Sequence, residues 1–477
     1  MSIQSILDIG KSSLIAQRLA LEVTSENITN VNTPGYSRQT TVLATGITTM
    51  ERGFPMGTGV KVADIQRAYD AFLQSQLSKE NTDNGFGTAV LSSMKRTEQL
   101  FNDLTTDGLG KAMQNFFNAW QDLTANPQGQ PERQAVLSMG QQLVDQFQRI
   151  NGYLNDVKNE ANKSLEGLAS DVNDKIGQIA SLNDQIKQIE IQGGHANELR
   201  DQRDLLVRQL SSKVGITYVE NGDGTLSVSL TLGQPLVIGD KAAKLSLEPD
   251  PGNSSYYKIM ATSPGGNTAV DISTIAGGPG NAQGEMGGAL QVRDTLINGF
   301  LSDLDELAYN LANEVNSVHS ASYGLTGITG RNFFNPPAAM AGYSGKGGIS
   351  LAISKTSDVA AADSNPLTGG TGNNKSASSI ASIYDKVLAT SGGNLTLEGF
   401  FNSLVGKVGV SVQDATRRAD QSGGIVKQLD NLRESNSGVS LDEELANLVK
   451  YQKAYEGAAK LINVGSDMMD TILGLIR

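Results

Sequence analysis

The sequence predicts a mainly α-helical, elongated, multi-domain protein with an inserted all-β domain. Three observations predict it. Apolar residues recur at helical spacing near both ends and through the centre, and one internal segment alternates apolar and polar residues instead. Only 5% of the residues are aromatic while 53 are glycine, which indicates many turns and thinly packed regions. The 477 residues are enough for two to four domains.

The first thirty residues are predicted to form a helix, because they carry one apolar stripe at seven-residue spacing. The stripe consists of Leu7, Leu14, Leu21 and Ile28. A sharp turn should follow, since Pro34 holds Thr33 extended and Gly35 can adopt a positive φ. Residues 36–65 are rich in Thr, Val and Gly, which predicts short strands or extended arms.

Helical patterning covers most of the centre of the chain. Predicted helices lie at 67–123, 131–191, 196–210, 288–319 and 377–432. Pro131 is predicted to occupy the first position of a helix, and the apolar spacing after it predicts long helices packed side by side up to Gly193-Gly194. With the residues between them, 36–213 and 285–439 are assigned to a helical core domain that includes a Gly/Ser/Asn-rich stretch at 321–376.

Residues 214–284 are predicted to form the inserted β domain. Two alternating runs, 216–219 and 226–230, flank Asn221-Gly222-Asp223-Gly224, which is the pattern of a β-hairpin. Further apolar runs near residues 237, 246 and 258 supply more strands, so a small all-β unit is expected between helices.

The last segment is predicted to be one long helix. Ser440 and Glu443 form a capping box at its start, and 37 residues would extend roughly 55 Å. Its strict heptad stripe consists of Leu441, Leu448, Tyr455, Ile462, Met469 and Ile476, with Leu445, Ala459 and Leu473 as expected partner positions. A second stripe, formed by Ala454, Leu461, Met468 and Leu475, widens the apolar arc beyond one partner. Residues 1–35 and 440–477 are therefore predicted to pair as a terminal coiled-coil assembly region; two independent core helices are the alternative.

Composition and motifs predict no chemistry. The net charge of −12 comes without a basic stripe, so no nucleic-acid partner is predicted. Cysteine is absent and only two histidines, His195 and His319, occur, so no metal, cofactor or catalytic residue is predicted. No window reaches the length of a membrane span, and the first residues lack the pattern of a cleaved signal. The charges at Asp201, Arg203 and Asp204 are expected to form a solvated or interhelical ion-pair face.

Residues 25–39, which read Ser-Glu-Asn-Ile-Thr-Asn-Val-Asn-Thr-Pro-Gly-Tyr-Ser-Arg-Gln, closely resemble the N-terminal signature of bacterial flagellar axial proteins. The ending Tyr-Ser-Arg-Gln is similar to that of the hook-associated protein 1 family. Residues 439–448 and 451–455 resemble the matching C-terminal signature, and residues 196–204 and parts of 287–334 resemble the middle of that family. The resemblance is weakest over 222–279.

The resemblance implies a structural adapter that is exported through the flagellar type III apparatus and self-assembles, through coiled-coil termini, between hook and filament. The paired termini would form an inner tube, the long-helix bundle would come next, and the β domain would lie outermost. The implied partners are further copies in a ring or helical oligomer, the hook protein, the second hook–filament junction protein, and an export chaperone on the C-terminal helix. The implied location is extracellular, in the flagellum. The expected assembly contacts are the two heptad stripes, with Pro34 and Gly35 as the turn.

Three other functions stay open on the sequence. Another axial protein, such as flagellin or the second junction protein, would share the terminal pattern, although the long middle and Tyr36-Ser37-Arg38-Gln39 argue against both. A secreted enzyme would need a cleft with paired carboxylates in the β domain, where no recognisable arrangement occurs. A surface adhesin would use the β domain to bind a host ligand.

Overall fold

The computed structural model describes residues 3–51, 54–101, 108–273, 283–336, 348–369 and 372–475. Within them the chain is mostly helical with several small antiparallel sheets. The helices are α1 (Ile3–Thr29), α2 (Ala71–Phe101), α3 (Leu109–Ala125), α4 (Gln130–Glu190), α5 (Asn197–Lys213), α6 (Gly284–Gln291), α7 (Ile297–His319), α8 (Pro366–Gly369), α9 (Lys375–Ala381), α10 (Leu397–Ser437) and α11 (Leu441–Leu475). A π-helical turn, Val292–Leu296, joins α6 to α7.

The strands form short antiparallel pairings. They are β1 (Gln39–Thr45), β2 (Thr48–Glu51), β3 (Phe54–Gly57), β4 (Val60–Arg67), β5 (Ile216–Glu220), β6 (Leu226–Leu230), β7 (Pro235–Ile238), β8 (Lys241–Ala242), β9 (Lys244–Asp250), β10 (Tyr256–Thr262), β11 (Ala269–Asp271), β12 (Phe334–Asn335), β13 (Ser350–Leu351), β14 (Leu388–Thr390) and β15 (Gly393–Leu395). The extended arm expected over 36–65 is the hairpin of β1 and β4, with β2 and β3 paired beyond it.

The predicted N-terminal helix and turn are present. α1 ends at Thr29, and Gly35 has a φ of 85°, which a residue with a side chain rarely adopts. A side chain at this position would also meet α5, because a Cβ atom on Gly35 would lie 3.2 Å from Leu205 Cβ. Gly35 therefore lets the chain reverse close against α5.

The long-helix pattern predicted over 131–191 corresponds to a single helix. α4 is continuous for 61 residues, with Pro131 in its first turn, and spans about 90 Å. It is unbroken because its internal glycines are tolerated at a modest cost each, and buried apolar residues follow one another along its whole length. α4 therefore links two cores.

The larger core lies around α3, α7, the first half of α4 and the first half of α10. Its centre is aromatic, with Phe116, Trp120, Phe333 and Phe334 fully buried in edge-to-face or tilted contacts. α2 lies along α10, where Leu73 and Leu77 pack against Leu429.

The second core contains the sheets of residues 214–271. One sheet has the order β5-β6-β7-β8 and the other β11-β10-β9, and the hairpin predicted around Asn221 is present. Their apolar residues share one cluster with the second half of α4, including Val172 and Ile176, and with α5 and α6. The strands are thus confirmed, whereas a separate β domain with its own core is not.

The helical patterning predicted over 377–432 is interrupted by a short hairpin. α9 ends at Ala381, and β14 and β15 form a hairpin before α10 begins at Leu397. Gly393 at the turn has a φ of 106°, so the Gly392-Gly393 pair ends helical patterning here. Thr396 caps α10 by accepting a hydrogen bond from the Gly399 amide.

His319 is a neutral core residue. Its side chain is 1% exposed; Nδ1 donates to the Arg331 carbonyl at 2.7 Å, and Nε2 accepts from the Ala360 amide at 3.0 Å. Desolvation lowers the pKa of His319 from 6.5 to about 4. Through these two hydrogen bonds the imidazole holds Arg331 and Ala360, in the loops after α7, to the end of that helix.

Acid should destabilise the larger core through His319. The unfolded imidazole takes up a proton near pH 6.5 and the folded one only near pH 4, so the free energy of unfolding falls as the pH drops between these values. The loss is on the order of 3 kcal/mol. Unfolding followed by Trp120 fluorescence should show this slope, and His319→Phe should flatten it. His195→Gln, at an exposed site, is the control and should retain the slope.

Candidate functional site: the paired termini and the polar node

The two terminal helices pack against each other in opposite directions. Gly10 lies under Ile462, where a Cβ atom on the glycine would come within 2.7 Å of Ile462 Cγ1. One turn further, Leu7 lies over Gly465, at 2.9 Å from such a Cβ atom, while Asn27 meets Glu444. Residues early in α1 thus contact residues late in α11, and glycine on each helix permits a close approach.

The sequence-predicted stripes lie at the edge of this contact. Leu7, Leu14, Leu21, Ile28, Leu448 and Ile462 are partly buried. Leu441, Tyr455 and Met469 are exposed by 45%, 38% and 37%, and Ile476 lies outside the described residues. The buried positions of α11 are instead Glu444, Ala458 and Gly465, on a seven-residue spacing of their own. Small residues at heptad positions were the signal that hydrophobic patterning missed.

Most of the other apolar side chains of α11 face solvent. In the second predicted stripe, Leu461, Met468 and Leu475 are exposed by 47%, 45% and 80%, whereas Ala454 is partly buried. Of the three expected partner positions, Leu445 and Leu473 are also exposed and Ala459 is partly buried, so the expectation of contact with α1 was wrong for the two leucines. An apolar surface therefore remains uncovered along α11, and we call Leu461, Met468 and Leu475 the outer stripe.

A buried polar cluster joins the terminal helices to the rest of the chain. At its centre the Asn27 amide makes four hydrogen bonds. Its Nδ2 donates to the Gln39 carbonyl at 2.8 Å and to Glu444 Oε2 at 3.0 Å. Its Oδ1 accepts from the Tyr36 hydroxyl at 3.0 Å and from the Gln39 amide at 2.9 Å. Burial raises the pKa of Tyr36, which keeps its phenol protonated as the donor.

Arg38 completes the link to α11. Its Nε donates to Glu444 Oε1 at 2.8 Å, its Nη1 lies 2.8 Å from Glu443 Oε2, and its backbone amide donates to the Ser437 carbonyl at 2.8 Å. Glu444 is buried, whereas Glu443 is exposed. Glu443 was expected to serve a capping box; its carboxylate pairs with Arg38 instead.

Helix α5 supplies the third side of the cluster. Gln39 donates to Glu198 and accepts from Asn197, each at 3.0 Å. The Ser37 amide donates to Asp201 at 2.7 Å, and Arg67 donates to both Asp201 and Asp204 at 2.7 Å. The side chains of Arg67 and Asp201 are buried and Asp204 is partly buried. Because Arg67 lies on β4, the ion pairs join α5 to a strand, and the predicted face is neither solvated nor interhelical at these residues. We call Asn27, Arg38, Gln39, Asn197, Asp201 and Glu444 the polar node.

The polar node brings together three segments that are far apart in the chain. They are residues 25–39, 197–204 and 437–444, which lie in or next to the motifs that carry the sequence resemblance. Sequence reasoning identified these motifs but assigned function to their apolar residues. The polar residues of the same motifs hold the segments in contact.

The described residues show no chemical centre beyond this. Among them no group of three or more His, Cys, Asp or Glu side chains could hold a metal ion. His195 lies near Asp64 and Glu190 on the surface, at 3.5 and 3.9 Å. No helix in the described part of the chain is long and apolar enough to cross a membrane.

Three family models match the chain. The helical domain of flagellar hook-associated protein FlgK matches residues 94–334, about half of the chain. The flagella basal body rod protein model matches residues 7–36, which include most of α1 and the turn. The C-terminal model of the basal body rod FlgEFG proteins matches residues 433–475, which include α11. The models for the termini thus coincide with the paired helices.

Full-length relatives agree. The chain is 28% identical to flagellar hook-associated protein 1 of Bacillus subtilis over 98% of this chain and 97% of the relative. It is 26% identical to that of Escherichia coli over 99% and 100%. The fold is similar to the flagellar hook junction protein FlgK of Burkholderia pseudomallei, with a TM-score of 0.65 and 16% identity over 76% of this chain and all of that one. The chain therefore belongs to the FlgK family of flagellar hook-associated proteins, the structural proteins of the hook–filament junction.

Proposed function

We propose that this chain is a non-catalytic adapter that assembles between hook and filament through α1 and α11, which act together as a coiled coil. One observation carries the proposal. α11 buries the side that carries Ala458 and Gly465 against α1, and it leaves the outer stripe exposed to solvent. A long helix with an uncovered apolar side is stabilised when a neighbour covers it.

The gain on assembly is substantial per subunit. Burying one large aliphatic side chain contributes about 1.5–3 kcal/mol, and those of the outer stripe are roughly half to four-fifths exposed in the single chain. The neighbours we propose are further copies beside each subunit, the hook protein below, and the second hook–filament junction protein above. The same uncovered surface of α11 would be the binding site of an export chaperone before assembly, since it would otherwise promote aggregation.

We also propose that residues 36–439, which we call the body of the chain, surround α1 and α11 from the outside. This proposal keeps the predicted division into three domains, which are 1–35 with 440–477, 36–213 with 285–439, and 214–284. Its support is that neither large core contains a residue of α1 or α11 among the described residues. The sheets of 214–271 share their core with α4, α5 and α6, which leaves them free of the terminal helices.

Replacing Gly10 with leucine tests whether the closed contact is needed for assembly. The new side chain would overlap Ile462, so α1 and α11 should separate, at a cost on the order of 1–3 kcal/mol. We expect incorporation into hook–filament structures to fall at least tenfold. Gly457→Ala is the matched control, since a Cβ atom there meets nothing within 4 Å, and it should leave incorporation unchanged. Normal incorporation of the Gly10 variant would count against pairing of the termini.

A further inference from the structure

We infer that the polar node is the anchor of the terminal helix pair, with Asn27, Arg38 and Glu444 as positioning residues. The inference deepens the proposed function, because it names the residues that hold the assembling helices to the body. It predicts that the turns of α1 and α11 nearest the polar node, at the end of α1 and the start of α11, are ordered before any neighbouring subunit is present.

The buried positions of α11 end at Gly465. Glu444, in the first turn, is 2% exposed, and Ala458 and Gly465 are buried further along. Every residue from 466 to 475 is exposed. In α1, Ala20, Thr24 and Asn27 are buried near the polar node, while most described residues before Gly10 are only partly covered. The proximal turns thus have contacts within the chain that the distal turns lack.

The attachment of α11 to the rest of the chain depends on the carboxylate of Glu444. Only three residues, Gly438, Val439 and Ser440, separate α10 from α11. Glu444 Oε1 accepts from Arg38 and Oε2 accepts from Asn27, so both oxygens are used and both donors come from the N-terminal segment. A buried carboxylate that loses either donor is strongly disfavoured, and this fixes the direction in which α11 leaves the body.

Glu443 offers a matched comparison. It is the neighbouring residue of the same type and lies at the same 2.8 Å from the same arginine, but its side chain is 62% exposed, whereas that of Glu444 is 2% exposed. Exposed ion pairs contribute little, because water and salt screen them. Of the two carboxylates, only Glu444 should act as an anchor.

Hydrogen exchange on the purified full-length monomer tests the inference. In the unmodified chain, peptides from 20–39 and 440–450 should exchange at least tenfold more slowly than a peptide from 466–475. In Glu444→Gln the proximal peptides should lose this protection, because an amide has one oxygen for two donors and turns an NH₂ group towards one of them. Glu443→Gln should exchange like the unmodified chain. Arg38→Lys should give an intermediate rate, since an ammonium group cannot reproduce the fork of donors.

Each result shows whether or not Glu444 holds the terminal helices in place. Equal protection in Glu444→Gln and the unmodified chain would overturn the inference, as would equal losses in the two glutamate variants or fast proximal exchange in the unmodified chain. Fluorescence of Trp120, in the core of the body, checks the fold of each variant; loss of that core in Glu444→Gln would make Glu444 part of the body and would also overturn the inference. A Glu444→Gln chain that loses proximal protection yet incorporates normally would leave the anchor in place and refute the assembly route proposed above.

Discussion

Deleting residues 441–477 should abolish incorporation of this protein into hook–filament structures while the body stays folded. α11 packs mainly against α1, and no described residue of α11 belongs to the hydrophobic clusters of the body. The free energy of unfolding measured through Trp120 should therefore change by less than about 1 kcal/mol. Incorporation should fall below detection, because the helix that offers the apolar surface is missing.

A shorter deletion separates assembly from anchoring. Removing residues 466–477 retains Glu444 and the contact of Gly10 with Ile462, but takes away two of the three outer-stripe residues. This chain should also fail to incorporate, although exchange near the polar node should stay slow. If either truncated protein joined the structure at the normal level, assembly through the terminal helices would have to be abandoned.

Replacing the outer stripe with glutamine should prevent assembly without affecting the monomer. Leu461, Met468 and Leu475 are too exposed to contribute much to the fold of the single chain, so the triple variant should unfold at nearly the same denaturant concentration. Loss of about 1 kcal/mol at each position in a contact between subunits amounts to roughly a hundredfold in that contact. Incorporation measured against the unmodified chain in the same preparation should show this loss.

Apolar residues exposed elsewhere provide the control for that experiment. Val219 and Ile238, in the sheet of β5 to β8, are exposed by 68% and 52%, a range similar to that of the outer stripe. A Val219→Gln, Ile238→Gln variant should incorporate normally if the sheets stay outside the contacts between subunits. A loss as large as that of the triple variant would place the sheets in the assembly interface and remove the special role of α11.

Several parts of this architecture followed from local sequence. The turn after α1 requires Gly35, since few other residues tolerate a φ of 85°, and Pro34 before it excludes continued helix. The hairpin around Asn221 follows from alternation on both sides of a glycine-rich turn, and each long helix follows from apolar spacing. These features are set by residues that are close in sequence, so a single sequence was enough to predict them.

Other parts depended on contacts between distant residues and were missed. The hairpin of β14 and β15 is only three residues per strand, which is too short for periodicity to show. The sheets of 214–271 were predicted as a small all-β unit inserted between helices, but alternation along the strands did not show that their apolar residues pack against α4, because that contact joins distant segments. Apolar spacing predicted long helices over 131–191, but it did not show that the run is one unbroken helix linking two cores.

The terminal region shows the same division. The sequence by itself determined that both ends are helical, that each carries apolar residues at heptad spacing, and that a tight turn follows the first helix, because these depend on local backbone preference and side-chain period. Only the tertiary structure decided that Ala458 and Gly465 face α1, that the outer stripe remains in solvent, and that Asn27, Arg38 and Glu444 meet. The register between two helices is fixed by where large side chains find small ones, and a buried carboxylate is stable only where its donors arrive from elsewhere in the chain.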